Sequence, residues 1–286
     1  MDKQIEAFLK EDIGTGDVTT DAIVPEHHTS KADIIAQAEG VMAGHIFARK
    51  VFNALDRNIH YQELKQDSER VTQGDILAVI AGKSRAILTG ERVALNLLQR
   101  LSGIATLTRS FVDAVEGTGV KILDTRKTSP GLREMEKYAV KMGGGHNHRL
   151  NLSEMALIKE NHIAIAGSIQ EAVERVRSQS TVPIEVEVKN MEELKEAMEA
   201  RVDRIMFDNW DIESIKHAVS LVNKRIPLEV SGNMTVEKAR EVAKTGIDFI
   251  SVGAITHSFK SLDMTLLQEG LRDERRRISL RKKRNS

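Results

Sequence analysis

The sequence has no cysteine, only 3% aromatic residues and no long hydrophobic run. The absence of cysteine excludes disulfides, thiolate nucleophiles and zinc–thiolate sites. Apolar runs such as residues 76–81 are far shorter than the roughly 20 residues of a transmembrane helix, so we expect no membrane span. The acidic, amphipathic start MDKQIEAFLKED is unlike a secretory signal. Together these absences favour a cytoplasmic protein.

Net charge is also absent, since 42 Lys+Arg balance 42 Asp+Glu over 286 residues. Residues 272–286 carry eight Lys/Arg against Asp273 and Glu274, a local charge of +6 that leaves the rest of the chain at −6. A basic tail can bind nucleic acid or an anionic membrane. A solvated terminus is the simpler explanation, and we therefore expect neither partner. The length allows one large domain or two modest ones.

The second half of the sequence repeats short apolar runs. Those at 184–188, 204–207, 228–230 and 249–252 are centred near positions 185, 207, 229 and 251, a spacing of 22 residues, and earlier runs lie at 121–124 and 155–159. The segments between the later runs have apolar residues at helical spacing, which predicts βα units around a parallel sheet. Six strands in about 135 residues are too few for an eight-stranded barrel of about 250. We expect an incomplete barrel or an open doubly wound sheet.

The first half predicts an α+β arrangement. A helix is expected at 3–10, β-like stretches at 32–38, 60–64, 76–80 and 84–88, and a long helix from about residue 89. Thr89 is a plausible N-cap for that helix. We place the domain boundary near residue 105, with the first domain at 1–105 and the barrel-like domain at 106–260. Apolar residues at 262, 266, 267 and 271 predict a last helix over 261–272 that packs back on the first domain, followed by the basic tail 273–286.

The ends of the first two strands of the second half carry a cationic cluster, and ligands of α/β sheets bind at the carboxyl ends of strands. The cluster contains Arg126, Lys127, His146, His148, Arg149, Lys159 and His162. A solvated charged face accounts for Arg133 and Lys137, which fall on a helix expected after Pro130. It does not account for Lys159, which directly follows the apolar run MALI. We therefore favour anion binding by this cluster.

The alternating pair His146 and His148 has a spacing that sometimes supports a metal ion. Lys127, Arg149 and Lys159 would repel a divalent cation, and no carboxylate lies adjacent. Metal-binding histidines normally have an acid or a carbonyl behind them. The sequence therefore predicts no metal bound directly by these histidines.

The next strand ends are acidic and the last two are small. Glu185 and Glu187 are two apart in IEVEV and share a side of their strand, and Asp208 closes the following strand. Such carboxylates could stabilise positive charge on a sugar, hold ribose hydroxyls or carry magnesium through water; for Glu185, a simple ion pair is an equal alternative. Backbone N–H groups at small residues can reach a phosphate, and the small residues are Ser231, Gly232, Gly253 and Ala254. The pattern predicts a polyanionic small molecule and a phosphorylated sugar as ligands, and leaves the reaction open.

Nine motifs in order resemble the quinolinate phosphoribosyltransferase (decarboxylating) family, also called nicotinate-nucleotide pyrophosphorylases. They are EDIGTGDVTT, ERVALNLLQRLSGIAT, DTRKTSPGLR, GGGHNHRLNL, IKENHI, EVEV, MFDN, EVSGN and ISVGAITHS, which span nearly the whole chain up to the basic tail. The resemblance implies an α/β fold class with an N-terminal α+β sandwich domain and a C-terminal incomplete, six- or seven-stranded α/β barrel. It also implies a homodimer with shared active sites, or a hexamer.

The resemblance further implies that the chain makes nicotinate mononucleotide, CO₂ and pyrophosphate from quinolinate and phosphoribosyl pyrophosphate, with Mg²⁺, in NAD biosynthesis. Arg126, His148, Arg149 and Lys159 would hold the quinolinate carboxylates, and Arg92 would reach in from the second subunit. Lys127 would contact phosphoribosyl pyrophosphate, and Glu187 and Asp208 would serve its ribose and magnesium region without direct metal ligation. The remaining substrate-binding residues implied are Thr128, Ser231, Gly232, Asn233, Gly253 and Ala254. Lys159, Glu187 and Asp208 would be the catalytic residues.

Two alternatives remain open from the sequence. A paralogous pyrophosphorylase of the same fold could act on another acceptor, although the set Arg92, Arg126, Arg149 and Lys159 favours a dicarboxylate. A non-catalytic module that binds a phosphorylated sugar is the other, but pure binding would not require carboxylates beside the cations. Assay of nicotinate mononucleotide separates them.

Overall fold

The computed structural model describes residues 2–270. The basic tail expected at 273–286 lies outside the described residues. The chain forms two compact units: the first runs to Thr106 and includes the described residues from Lys260 onward, and the second is Leu107–Phe259. Within residues 2–270, no helix combines the length and the apolarity needed to traverse a lipid bilayer.

The first unit is built on an antiparallel sheet. In chain order its elements are α1 (Asp2–Ile13), α2 (Val18–Ile23), β1 (Thr29–Ala36), β2 (Gly40–Val41), α3 (His45–Leu55), β3 (His60–Glu63), β4 (Arg70–Val71), β5 (Ile76–Lys83) and the start of α4 (Ser84–Ala114). Apolar side chains of β1, β5 and α3 are fully buried, among them Ile34, Ile80 and Phe52. Burial of these side chains, at about 25 cal/mol per Å² of apolar surface, is the main stabilisation of this unit.

The second unit contains a parallel six-stranded sheet. Its elements are β6 (Lys121–Leu123), α5 (Arg133–Met142), β7 (Ala156–Ile158), α6 (Glu160–Ala166), α7 (Ile169–Gln179), β8 (Ile184–Val188), α8 (Met191–Glu199), β9 (Arg204–Asp208), α9 (Ile212–Val222), β10 (Leu228–Ser231), α10 (Val236–Ala243), β11 (Phe249–Ser251) and α11 (Ala254–His257). The strand order is β6-β11-β10-β9-β8-β7. Strands overlap all six predicted runs, and the predicted α/β fold class with an incomplete barrel is confirmed; the predicted N-terminal α+β domain contains an antiparallel sheet.

Polar caps fix where the barrel helices begin. Side chains of Ser168, Asn190, Asp211 and Thr235 each accept a hydrogen bond from the backbone N–H three residues later, at the starts of α7, α8, α9 and α10. These caps satisfy N–H groups that have no partner within the helix. Asn190, Asp211 and Thr235 follow β8, β9 and β10 within four residues, so the carboxyl ends of these three parallel strands lead directly into capped helices.

Two predicted elements of the first unit are wrong. Residues 84–88, predicted as β-like, form the first turn of α4, and Thr89 is not its N-cap but donates a hydrogen bond from Oγ1 to Asp17 Oδ2 (3.0 Å). The helix predicted over 261–272 is replaced by β12 (Met264–Gln268), which pairs antiparallel with β1 and completes the order β12-β1-β5-β3. Alternation buries Leu262, Met264 and Leu266, and pairing satisfies the edge of β1. Residues 271 and 272 of that predicted helix lie outside the described residues.

Candidate active site

The carboxyl ends of the barrel strands surround a cavity of about 720 Å³. Of the predicted site residues, those lining it are Arg126, Lys127, His148, Arg149, Lys159, Glu187, Asp208, Ser231, Gly232, Asn233, Gly253 and Ala254. Thr128 is not among the lining residues, and its Oγ1 accepts a hydrogen bond from Arg133 Nε (2.9 Å). Arg92 lies on α4 in the first unit, where it is exposed. The structure therefore brings together twelve of the fourteen predicted substrate-binding residues, whereas His146, His162 and Glu185, which the sequence also singles out, do not line the cavity.

Four cations, Arg126, Lys127, Arg149 and Lys159, give the cavity a positive region. Lys159, just after β7, donates from Nζ to Glu187 Oε2 at 2.5 Å and is about half exposed. Arg149 donates from Nη1 to the carbonyl of Met155 (2.8 Å). Burial lowers the pKa of Arg149, and the charge of Arg126 lowers it further. Arg126 Nε is buried without a hydrogen-bond partner among the described residues. A buried donor without a partner is costly, so an anionic ligand at this position would remove that cost.

Lys137 is a buried cation, so the expectation that it belongs to a solvated face is wrong. Its Nζ donates to Asp124 Oδ1 and to the carbonyl of His148 (2.9 Å), and the side chains of Lys137 and Asp124 are 2% and 0% exposed. Arg133, expected on the same face, donates from Nη1 to Leu150 O (3.3 Å) and is half-buried. Helix α5 therefore turns these cations toward the loop between α5 and β7.

The same ion pair holds the loop that carries the site. Asp124 Oδ1 accepts a hydrogen bond from the His148 N–H (2.9 Å) as well as from Lys137. Burial raises the pKa of Asp124 to about 6, against the opposing charge of Lys137. A buried pair of this kind adds directional contacts rather than net stability. Asp124 and Lys137 therefore fix the backbone from which His148 and Arg149 reach the cavity.

His146 and His148 differ in burial. His146 is exposed, whereas His148 is 8% exposed. The premise that no carboxylate lies adjacent is wrong in space, because His148 Nε2 is 2.9 Å from Glu185 Oε2 and 3.6 Å from Glu229 Oε1. Neither acid neighbours His148 in the chain. The barrel brings them together from β8 and β10.

Glu187 and Asp208 present carboxylates to the cavity from neighbouring strands. Glu187 accepts the hydrogen bond from Lys159, and Asp208 accepts one from Asn209 Nδ2 (3.0 Å). Glu185, for which an ion pair was the alternative, is fully buried and is hydrogen-bonded to His148 rather than lining the cavity. The barrel thus separates the two acids of IEVEV into one at the cavity wall and one beneath it.

Tight backbone turns form the part of the rim that begins beside Asp208. Gly232 has φ +99°, and a Cβ there would lie 2.3 Å from Asn209 Oδ1. A Cβ at Gly253 would lie 3.0 Å from Lys127 Cδ. Asn233 Nδ2 donates to Asn209 Oδ1 (3.1 Å), which ties the two loops together. Glycine is therefore required at position 232 by space and by backbone conformation, whereas a Cβ at Gly253 would require a shift of the Lys127 side chain.

The structure places at this site several residues that the sequence analysis did not predict. Glu229 and Ser251 line the cavity from β10 and β11, and the apolar side chains of Leu157 and Met206 line it beside them. His257 lies at the rim on α11. The run LEVS does contain a signal, since an acid inside a buried parallel strand requires a partner.

The chain matches known proteins over most of its length. Residues 17–102 match the family model "Quinolinate phosphoribosyl transferase, N-terminal domain" and residues 104–267 match the corresponding C-terminal domain. A probable nicotinate-nucleotide pyrophosphorylase [carboxylating] of Bacillus subtilis is 44% identical over 268 residues, covering 93% of this chain and 92% of that one.

Solved structures of proteins with related names also match the chain over most of its length. NadC from Streptococcus pyogenes has a TM-score of 0.90 at 41% identity, covering 93% of this chain and 96% of that one. The nicotinate-nucleotide pyrophosphorylase from Francisella tularensis has a TM-score of 0.89 at 43% identity, covering 93% and 95%. With both family domains matched in order along one chain, the protein belongs to the quinolinate phosphoribosyl transferase family.

Proposed function

We propose that this chain transfers the phosphoribosyl group of phosphoribosyl pyrophosphate to quinolinate with loss of CO₂, and so produces nicotinate mononucleotide for NAD biosynthesis. The observation that carries the proposal is one cavity in which Arg126, Arg149 and Lys159 lie together with the carboxylates Glu187 and Asp208. Such a site suits an aromatic dicarboxylate beside a sugar that becomes cationic. The family relatives named above support the same activity.

Quinolinate would occupy the cationic region. The guanidinium groups of Arg126 and Arg149 can bind carboxylates through two parallel hydrogen bonds, and Lys159 adds a third charge. Leu157 and Met206 provide apolar surface for the pyridine ring. Arg92 would complete this subsite from the second subunit of a homodimer, since it belongs to the first unit and is exposed on α4.

Phosphoribosyl pyrophosphate would occupy the remaining part of the cavity. Backbone N–H groups at residues 231–233 and 253–254 would hold its 5′-phosphate, with Lys127 beside them. Glu187 and Asp208 would accept hydrogen bonds from ribose hydroxyls and from water. Thr128 would act indirectly, through the loop that it shares with Arg126 and Lys127.

Magnesium fits this site as an ion carried by the substrate. Hard cations of this kind keep several waters and prefer oxygen ligands, and the carboxylates at the cavity wall can accept hydrogen bonds from such waters without coordinating the ion. When bound to the diphosphate, Mg²⁺ neutralises charge on the leaving group. Among the described residues, His148, Glu185 and Glu229 form a group that could hold a metal ion, and it contains neither of those two wall carboxylates.

The reaction follows from this arrangement. As the bond from ribose C1 to pyrophosphate breaks, Glu187 and Asp208 stabilise the positive charge that develops on the sugar. The pyridine nitrogen of quinolinate, held by Arg126 and Arg149, forms the new bond to C1. The ring is then cationic, so the C2 carboxylate leaves as CO₂ and its electron pair remains on C2 beside N⁺. Protonation of C2 then gives nicotinate mononucleotide. No covalent intermediate with the enzyme is needed.

Incubation with quinolinate, phosphoribosyl pyrophosphate and Mg²⁺ is expected to yield nicotinate mononucleotide and CO₂ in equal amounts. Chromatography of the nucleotide and trapping of ¹⁴CO₂ from carboxyl-labelled quinolinate would measure both products. Nicotinate in place of quinolinate is the control, because it lacks the second carboxylate that the cationic cluster would bind. Equal turnover of nicotinate would contradict the assignment of the acceptor, and no product from either would contradict the proposed function.

Gly232→Ala is expected to raise KM for phosphoribosyl pyrophosphate by about tenfold or more, because a Cβ at φ +99° would strain the backbone and overlap Asn209. KM for quinolinate should change much less. Gly246→Ala is a matched control, since Gly246 also has positive φ, +93°, and is not among the cavity-lining residues. A normal KM for phosphoribosyl pyrophosphate in Gly232→Ala would exclude this turn from the phosphate subsite.

A further inference from the structure

At the wall of the cavity lies a buried group of three titratable side chains for which the mechanism above gives no role: His148 and Glu229, which line the cavity, and Glu185, which does not. Glu185 and Glu229 are fully buried, and His148 contacts both carboxyl groups. One ligand atom from each residue lies within 4.8 Å of the others. Each carboxylate of such a buried pair disfavours ionisation of the other, so the pair favours a proton or a cation between the two groups even though Arg204 balances one charge. The group therefore holds either a proton or a metal ion.

The hydrogen bonds of His148 decide between these two. The backbone N–H of Arg149 donates to His148 Nδ1 at 2.8 Å. Since Nδ1 is an acceptor, the neutral ring carries its proton on Nε2 and donates it to Glu185 Oε2. A metal on Nε2 would move that proton to Nδ1, where the N–H of Arg149 already points. Burial also lowers the pKa of His148. The ring is thus neutral, and it binds no metal in this arrangement.

Both ring nitrogens of His148 are occupied in this way. The family resemblance assigned His148 to the quinolinate carboxylates. A ring with both nitrogens engaged, however, has no hydrogen bond left to offer a substrate. Its contacts instead run from the buried carboxyl group of Glu185 to the backbone of Arg149, whose guanidinium lines the cavity.

The position of the proton follows from the other contacts. Arg204 Nη1 donates to Glu229 Oε2 at 2.9 Å, which favours the ionised form of Glu229. The remaining oxygens, Glu185 Oε1 and Glu229 Oε1, are buried without a hydrogen-bond partner if both groups are ionised. A proton on Glu185 Oε1 that is shared with Glu229 Oε1 would satisfy both. Burial raises the pKa of Glu185 to about 7, and burial together with the charge of Glu185 raises that of Glu229 to about 7.

We propose that Glu185 and Glu229 share one proton and that this acid pair, through His148, positions Arg149 for quinolinate. The inference rests on the proposed function. With the proton in place, the pair carries a single negative charge, which Arg204 balances. Without it, a second negative charge would lie beneath a subsite for a dianion, and the contact that orients His148 would change.

Charged and titratable groups act on the pair and on His148 from the surrounding elements. They are Asp124 after β6, Lys137 on α5, His148 and Arg149 in the loop before β7, Lys159 after β7 and Arg204 on β9. Ser251 on β11 lowers the pKa of Glu229, against the larger effect of burial. The cations among them keep the pair from binding a second proton at neutral pH.

Glu185→Gln separates a shared proton from a merely structural contact. The amide oxygen can accept from His148 Nε2, and the amide NH₂ can donate to Glu229, so the variant copies the protonated acid at every pH. KM for quinolinate in the wild type is expected to rise about tenfold or more between about pH 7 and pH 9 as the pair loses its proton. Glu185→Gln should keep KM at pH 7 within about threefold of wild type and lose the alkaline rise. The control is Asp203→Asn, which changes a carboxylate that precedes β9, accepts a hydrogen bond from the Ile184 N–H and does not line the cavity; this variant should keep the alkaline rise.

Four outcomes of this experiment would contradict the proposals. A wild-type protein without turnover at pH 7 would refute the proposed function itself. Turnover with a KM for quinolinate that stays flat to pH 9 would overturn the shared proton, and so would an alkaline rise that persists in Glu185→Gln. A loss confined to kcat, with KM for quinolinate unchanged, would also overturn the role of the pair in positioning Arg149.

Discussion

Lys159→Ala is expected to lower kcat/KM for quinolinate by about 10²–10³-fold, the usual cost of removing one group that stabilises charge in a transition state. Lys159 supplies positive charge to the cavity and also holds Glu187 at 2.5 Å. The variant should still fold normally, because the Lys159 side chain is 47% exposed and a pair of this kind contributes little to stability. Steady-state kinetics and a thermal unfolding curve measure the two effects separately.

Lys189→Ala is the matched control for that result. Lys189 follows β8 much as Lys159 follows β7, pairs with Glu160 at 2.7 Å and does not line the cavity. Its loss should leave kcat/KM within about twofold of wild type. Wild-type turnover by Lys159→Ala would remove Lys159 from the mechanism, and a similar loss in both variants would show that the effect is not specific to the cavity.

Lys137→Met should destabilise the protein by about 3–5 kcal/mol, because it leaves Asp124 buried without its cation. Burial already raises the pKa of Asp124 to about 6, and loss of Lys137 should raise it further. A raised pKa means that the folded state binds the proton more tightly than the unfolded chain, so stability falls as pH rises through the interval between the two pKa values. The destabilisation should therefore be larger at about pH 8 than at about pH 5, as measured by urea unfolding.

Two further variants test the cause. Lys141→Met, at an exposed position one turn later on α5, should change the free energy of unfolding by no more than about 0.5 kcal/mol. Lys137→Met combined with Asp124→Asn should recover part of the loss, since no buried charge remains. A loss in Lys137→Met that does not depend on pH would show that packing, rather than the charge of Asp124, is responsible.

The strands and their polar ends could be predicted because both are local properties of the chain. Apolar runs recur at a fixed spacing, and polar residues at or directly after the ends of several runs line the cavity, as Lys159 and Asp208 do. The resemblance to a family added the assignment of substrates, which the strand ends alone left open. Local pattern failed over 84–88 and 261–272, where pairing and packing with distant segments, rather than residue spacing, determine the structure.

The buried charges could not be predicted, because their partners are remote in the chain. Lys137 lies on an amphipathic helix, and nothing near it in the sequence shows that Asp124, thirteen residues earlier, lies beneath it. Glu229 reads as one acid within a strand, although its neighbours Glu185 and Arg204 come from two other strands. The contribution of a charge depends on what surrounds it in three dimensions, and one sequence without a structure does not provide this.

The strand β12 has a consequence for the order in which the protein can form during synthesis. Its partner β1 leaves the ribosome early, but Met264–Gln268 are translated after the whole of Leu107–Phe259. Domains usually fold as they emerge, beginning with the N-terminal one. Here the barrel, which is formed by one continuous segment, can complete its sheet first. The edge of β1 stays unpaired until β12 has been synthesised. An unpaired strand edge is a site for wrong association between nascent chains. A chaperone would therefore matter most during the time in which the edge of β1 is exposed.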